Sequence, residues 1–136
     1  MRLLLDENLA PNIGRAMGLL VKDDGHEVVP LCDRFSRGTP DAEWIKALAD
    51  EGGWTVVAFD RRITKRPHER ETWLQSRIVL FVLENAWSKG IKPREQAARL
   101  LLSWPRLLSA FEAIAPPAAF TIPIRLNAKP RQLRGH

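Results

Sequence analysis

Two stretches of this chain are apolar almost without a break: Trp54-Thr-Val-Val-Ala-Phe59, and Ile78-Val-Leu-Phe-Val-Leu83 after Arg77. A strand with one wet face alternates apolar and polar residues, so runs of this kind belong to strands covered on both faces. Helices above and below a sheet supply that cover, and the segments around these runs have the helical period. Leu9, Ile13, Met17 and Leu20 recur at three- and four-residue steps before Gly25. After Pro93, a stripe of Ala97, Leu100, Leu101, Trp104, Leu107, Leu108 and Phe111 does the same. Strands alternating with helices predict an α/β fold whose mostly parallel sheet is joined by right-handed crossovers.

Strands are predicted at residues 2–5, 26–31, 54–59 and 77–83, with a fifth at 119–124 whose Pro123 suits a sheet edge. Thr39 is the expected cap of a helix from Pro40 to Glu51, closed by Gly52-Gly53. A short helix is expected at 69–75, and Pro105 should kink or divide the long helix opened by Pro93, because proline removes a backbone donor.

The 136 residues, of which 45% are hydrophobic, are enough for one domain with one continuous core. That domain is placed at residues 1–126. Residues 127–136 form a basic tail whose Lys, Pro, Arg, Gln and Gly favour disorder. One cysteine, Cys32, can make neither an intramolecular disulfide nor a cysteine-based metal site, so a cytoplasmic home is the default. No run approaches the roughly 18 apolar residues of a membrane span, and no membrane association is expected. The net charge of +5 favours a polyanionic partner. Much of it falls on residues 61–68, with four basic side chains and no acid, and on Arg125, Lys129, Arg131 and Arg134.

In open α/β sheets the ligand crevice lies at the carboxyl ends of the strands, near the switch in strand order. Asp6 and Glu7 follow the first predicted strand, Asp60 follows the third, and Asp41 and Glu43 open the helix after the second. Carboxylates drawn to one rim raise one another's pKa unless a cation intervenes, and Mg²⁺ or Mn²⁺ suits oxygen donors. Such a site acidifies a bound water and stabilises charge on a phosphodiester during in-line attack.

The segments Leu3-Leu4-Leu5-Asp6-Glu7-Asn8-Leu9, Gly25-His26-Glu27-Val28-Val29, Thr39-Pro40-Asp41-Ala42-Glu43 and Val57-Ala58-Phe59-Asp60 together resemble the PIN-like domains of bacterial toxin–antitoxin systems, the VapC-type toxins and their compact relatives, over roughly residues 1–115. The resemblance implies a PIN-like three-layer fold, with four or five central strands flanked by helices. It also implies a Mg²⁺-dependent endoribonuclease toxin of a type II system, silenced by a cognate antitoxin and often homodimeric. Asp6 matches the first-strand acid of that pattern, Asp41 or Glu43 the helix acid and Asp60 the third-strand acid, with Glu7, or Glu43 alongside Asp41, available to complete the site. The expected catalytic residues are Asp6, Glu43 and Asp60, and the expected metal ligands Asp6, Glu7, Asp41 and Asp60. Many compact relatives carry a further acid two residues after the third-strand Asp, where this chain has Arg62.

Each assignment has a plainer alternative. Asp6 can serve as a turn residue, Asp41 sits where the helix dipole stabilises any acid, and Asp60 can pair with Arg61 and Arg62. The basic connector can be a solvated loop, yet it starts beside the expected metal rim, where Arg61, Arg62, Lys65 and Arg66 would hold RNA phosphates. Trp73 and Trp87 are read as core or interface residues rather than base-stacking platforms, His68 as an exposed loop residue, and Cys32 as a structural thiol.

Two other function classes compete. A phosphoryl-accepting receiver domain shares the acids after the first and third strands. It needs a hydroxyl residue after the fourth strand and a lysine after the fifth, where this chain has Glu84-Asn85 and Ile124-Arg125. A catalytically inactive PIN-like module would keep the basic face for RNA or protein binding, and Arg62 in place of an acid is its best support.

Overall fold

Leu3, Leu4 and Leu5 are consecutive, so in a strand their side chains point to alternate faces. All three are buried, which places a core on each side of the sheet. The computed structural model describes residues 1–59, 67–126 and 128–133, and only the backbone of residues 68 and 69. Its strands are β1 (Arg2–Leu5), β2 (Glu27–Pro30), β3 (Trp54–Ala58), β4 (Val79–Leu83), β5 (Ala118–Ile122) and β6 (Arg131–Gln132). Its α-helices are α1 (Pro11–Val21), α2 (Asp41–Glu51), α3 (Pro67–Gln75) and α4 (Pro93–Ala113).

The strands form one sheet in the order β2-β1-β3-β4-β5-β6, parallel except for the antiparallel β5–β6 pair. On one face Leu3, Leu5, Phe81 and Leu83 pack with Ile13 and Met17 of α1 and Leu100 and Leu107 of α4. On the other, Leu4, Val56, Leu80 and Val82 pack with Trp44, Ile45 and Leu48 of α2 and Trp73 of α3. This is the expected three-layer α/β fold. Of the five tryptophans, Trp44, Trp54, Trp73 and Trp87 are fully buried. Each takes roughly 200 Å² of ring surface out of water, so their role is to fill the core rather than to receive bases.

Two glycines let α1 lie against β2. A Cβ on Gly18 would stand 2.5 Å from the Val28 carbonyl oxygen, and one on Gly14 would stand 2.8 Å from the Pro30 nitrogen. The helix–strand distance at the end of β2 is therefore set by residues without side chains.

Several local expectations are corrected. Thr39 does not cap α2: its hydroxyl donates to the Ser36 carbonyl at 2.6 Å, and the helix opens at Pro40-Asp41 without a side-chain cap. Pro105 does not divide α4, a single helix of 21 residues; the side chain of Pro105 is exposed, and buried Leu100 and Leu107 anchor the helix on either side of it. The fifth strand is not an edge, because the chain after residue 126 returns and β6 pairs with it through Phe120↔Gln132 and Thr121↔Arg131. Pro123 lies just beyond β5, where no ladder donor is needed.

One crossover also departs from the expected hand. The connections β3–α3–β4 and β4–α4–β5 step the same way across the sheet, but α3 covers one face and α4 the other. They therefore have opposite hands. The β1–α1–β2 and β2–α2–β3 connections share the hand of β3–α3–β4, so the α4 crossover is the exception to the right-handed rule.

Candidate active site

From β1 the chain steps to β2 on one side of the sheet, and then to β3, β4 and β5 on the other. The switch point is thus the carboxyl end of the β1–β3 pair, where Leu5 stands beside Val57. Asp6 is the next residue. Its backbone N–H donates to the Val57 carbonyl at 2.9 Å, and its own carbonyl accepts from Leu9 N–H at 3.0 Å. The end of β1 is thereby tied to β3 and closed by a turn that holds the Asp6 side chain in place.

Asp6 is only 7% exposed. Burial pushes its carboxyl up from the ordinary value of 3.8 to about 6. The Glu7 backbone N–H and the Asn8 amide, the latter donating to Oδ2 at 3.1 Å, pull the other way, while the charges of Asp41 and Glu7 raise it further. Among the described residues no basic side chain pairs with Asp6. A buried acid with two further acids in electrostatic reach favours a cation.

A cleft of about 350 Å³ opens at this point. Asp6, Glu7 and Asn8 form one wall, and the loop after β2, including Cys32, Ser36 and Arg37, forms another. Glu7, Cys32 and Arg37 are exposed. Asp41 opens α2 and accepts from the Trp44 indole at 3.0 Å, which fixes its carboxylate on the buried side of the helix. Glu43, on the same first turn, is exposed. The structure thus places Asp41 and Glu7 where their charges act on Asp6, and leaves Glu43 at the surface.

Asp60, Arg61, Arg62, Lys65 and Arg66 lie outside the described residues. β3 ends at Ala58, and the chain is described as far as Phe59, one residue before Asp60. No group of three His, Cys, Asp or Glu side chains among the described residues is gathered closely enough to hold an ion. Carboxylate oxygens such as those of Asp6 and Asp41 are hard donors of the kind that suit Mg²⁺ or Mn²⁺.

Two contributors escaped the sequence reading. Asn8 orients the Asp6 carboxylate, and the loop after β2 adds Ser36 and Arg37 to the cleft wall. A signal for the loop was present, since a loop leaving the carboxyl end of a strand beside β1 must lie on the same rim. A larger depression of about 540 Å³ lies at the ends of β4 and β5. Its one carboxylate, Glu84, is paired with Arg131, so it offers no free acid for catalysis.

A doubly wound α/β/α sheet with a buried acid at its switch point defines the class of fold. Residues 1–85 match the model of the PIN-like domain family, and the chain belongs to that family, whose fold is of the nuclease type. The match spans β1 to β4 and stops short of the 115 residues expected from the resemblance, leaving α4, β5 and β6 beyond it. No curated protein and no solved structure matches the chain. Among the described residues no helix is long and apolar enough to cross a membrane.

Proposed function

We propose that this chain is a metal-dependent endoribonuclease, the toxin of a type II toxin–antitoxin pair of the VapC kind, and that Asp6 with Asp60 forms the heart of its site. The observation that carries the reading is the placement of Asp6: buried, at the switch point, within electrostatic reach of Asp41 and Glu7, and without a basic partner among the described residues. Asp6, Asp41 and Asp60, with Glu7 at the rim, would hold Mg²⁺ or Mn²⁺. When bound, a divalent cation acidifies water and stabilises the negative charge that builds on a phosphodiester under attack.

The chain's own part is to keep Asp6 dry and oriented. The Val57 and Leu9 backbone bonds fix its main chain and Asn8 fixes its carboxylate, so little reorganisation is left for the reaction. Glu43, exposed on the first turn of α2, would act on a proton rather than on the ion. Arg37 in the cleft, with Arg61, Arg62, Lys65 and Arg66 following Asp60 in sequence, would hold RNA phosphates. An antitoxin covering the cleft and a homodimer belong to the same proposal.

Expression of the wild-type chain without an antitoxin is expected to arrest growth, with Asp6→Asn or Asp60→Asn relieving the arrest. Equal toxicity of the mutants contradicts the site. One observation favours a second reading, an inactive RNA-binding module: Arg62 occupies the position of an acid common in compact relatives. That module would bind RNA without a divalent ion and release no product.

A further inference from the structure

A second basic surface lies beyond the residues that define the family. α4, the loop after β5 and β6 line a groove of about 690 Å³ that holds Arg106, Arg125, Lys129, Arg131 and a single acid, Glu84. Arg131 is paired with Glu84. Among the described residues, the side chains of Arg106, Arg125 and Lys129 make no ion pair or hydrogen bond, and Arg125 and Lys129 are exposed. Three like charges held in one groove repel one another, and an anion seated among them removes that cost.

The groove is built, not a chance meeting of flexible ends. Arg99, two turns before Arg106 on the same face of α4, donates to the Ile124 carbonyl at 2.9 Å and holds the chain as it leaves β5. The Ala128 N–H closes a turn onto the Arg125 carbonyl at 3.2 Å, and Ala128 itself is buried. The Leu133 N–H then bonds the Ala119 carbonyl at 2.8 Å, fixing the far end of the loop on the sheet.

Its position on the rim suggests the ligand. The carboxyl end of β5 is three strand spacings from that of β1, with β3 and β4 between them, or about 14 Å at roughly 4.8 Å per spacing. A stacked single strand advances about 3.4 Å per phosphate, so this span corresponds to about four nucleotides. We propose that Arg106, Arg125 and Lys129 form a phosphate-binding exosite for single-stranded RNA, about four nucleotides to one side of Asp6. The exosite rests on the ribonuclease reading for its purpose, but RNA binding can be measured without cleavage.

The test is fluorescence anisotropy of a labelled single-stranded RNA dodecamer with excess chelator, titrated across salt concentrations. The proteins are wild type and the triple variant Arg106→Gln, Arg125→Gln, Lys129→Gln. Loss of three phosphate contacts should lower the slope of log affinity against log salt by about 2 and weaken binding by about 100-fold near 0.1 M salt. Arg125→Gln alone, which spares the helix and β6, should lower the slope by about 0.7.

Unchanged affinity and slope in both variants, or no RNA binding by wild type, overturns the exosite. So does tighter binding of anionic lipid vesicles or polyglutamate than of RNA, with the same dependence on these side chains. Magnesium-dependent cleavage of the dodecamer is measured in parallel. Cleavage with unaltered variant binding removes the exosite and leaves the nuclease, whereas weakened variant binding without cleavage by wild type leaves the exosite and removes the nuclease.

Discussion

Asp6→Asn, a change at the heart of the site, is expected to stabilise the metal-free fold. The Asp6 carboxyl is raised from 3.8 to about 6 by burial and by Asp41 and Glu7. The folded pKa lies above the unfolded one, so the fold favours the neutral acid. Stability associated with Asp6 is fully present below about pH 4, is lost as pH rises through about 6, and stays lost above that. Roughly two pKa units at about 1.4 kcal/mol each give a cost of about 3 kcal/mol for the ionised group. Asparagine is neutral throughout and keeps an oxygen for the Glu7 N–H; the exposed Asn8 amide can turn to meet its nitrogen. In urea unfolding with chelator, followed by fluorescence of the four buried tryptophans, the variant should match wild type near pH 4. It should exceed wild type by about 2 to 3 kcal/mol near pH 8. Magnesium should narrow the gap by stabilising wild type alone. A variant less stable than wild type at pH 8, or a difference that does not change with pH, refutes the reasoning.

Gly18→Ala should lower stability by about 1 to 3 kcal/mol in chemical denaturation. The new methyl meets the Val28 carbonyl oxygen, and this outweighs the better helix propensity of alanine. Pro105→Ala should raise stability by about 1 kcal/mol or more, since Pro105 is exposed inside a continuous helix and lacks a backbone donor. Trp87→Phe should cost about 1 to 3 kcal/mol, because the buried indole N–H donates to the Ile122 carbonyl at 3.0 Å, and phenylalanine leaves that oxygen only the longer 3.3 Å bond from the Glu84 N–H while filling less of the core.

The sheet was legible in the sequence because its strands are buried on both faces. Val56, Val57 and Leu80 to Leu83 had to be apolar wherever the helices fell. The acids at the strand ends were legible for a related reason, since a charge directly after such a run marks where the strand leaves the core. Details that depend on partners distant in the chain were not legible. Nothing local to residues 131–132 announces a strand; they become one because β5 presents an open edge. Thr39 has the composition of a cap, but the Ser36 carbonyl competes for its hydroxyl. Pro105 is a helix breaker by local rules, and core packing of Leu100 and Leu107 overrides them. The site divides in the same way: Asp6 was readable from its position at a strand end, while its burial, the Asn8 bond and the Arg37 wall are products of the fold.

The most direct test of the central claim is degradation of total cellular RNA by purified wild type, Asp6→Asn and Asp60→Asn, each with Mg²⁺, with Mn²⁺ and with excess chelator. Cleavage by wild type alone, supported by either metal and abolished by chelation, is the predicted result. Cleavage that survives chelation, or that either Asn variant performs as well as wild type, contradicts a hydrolytic metal site built on Asp6.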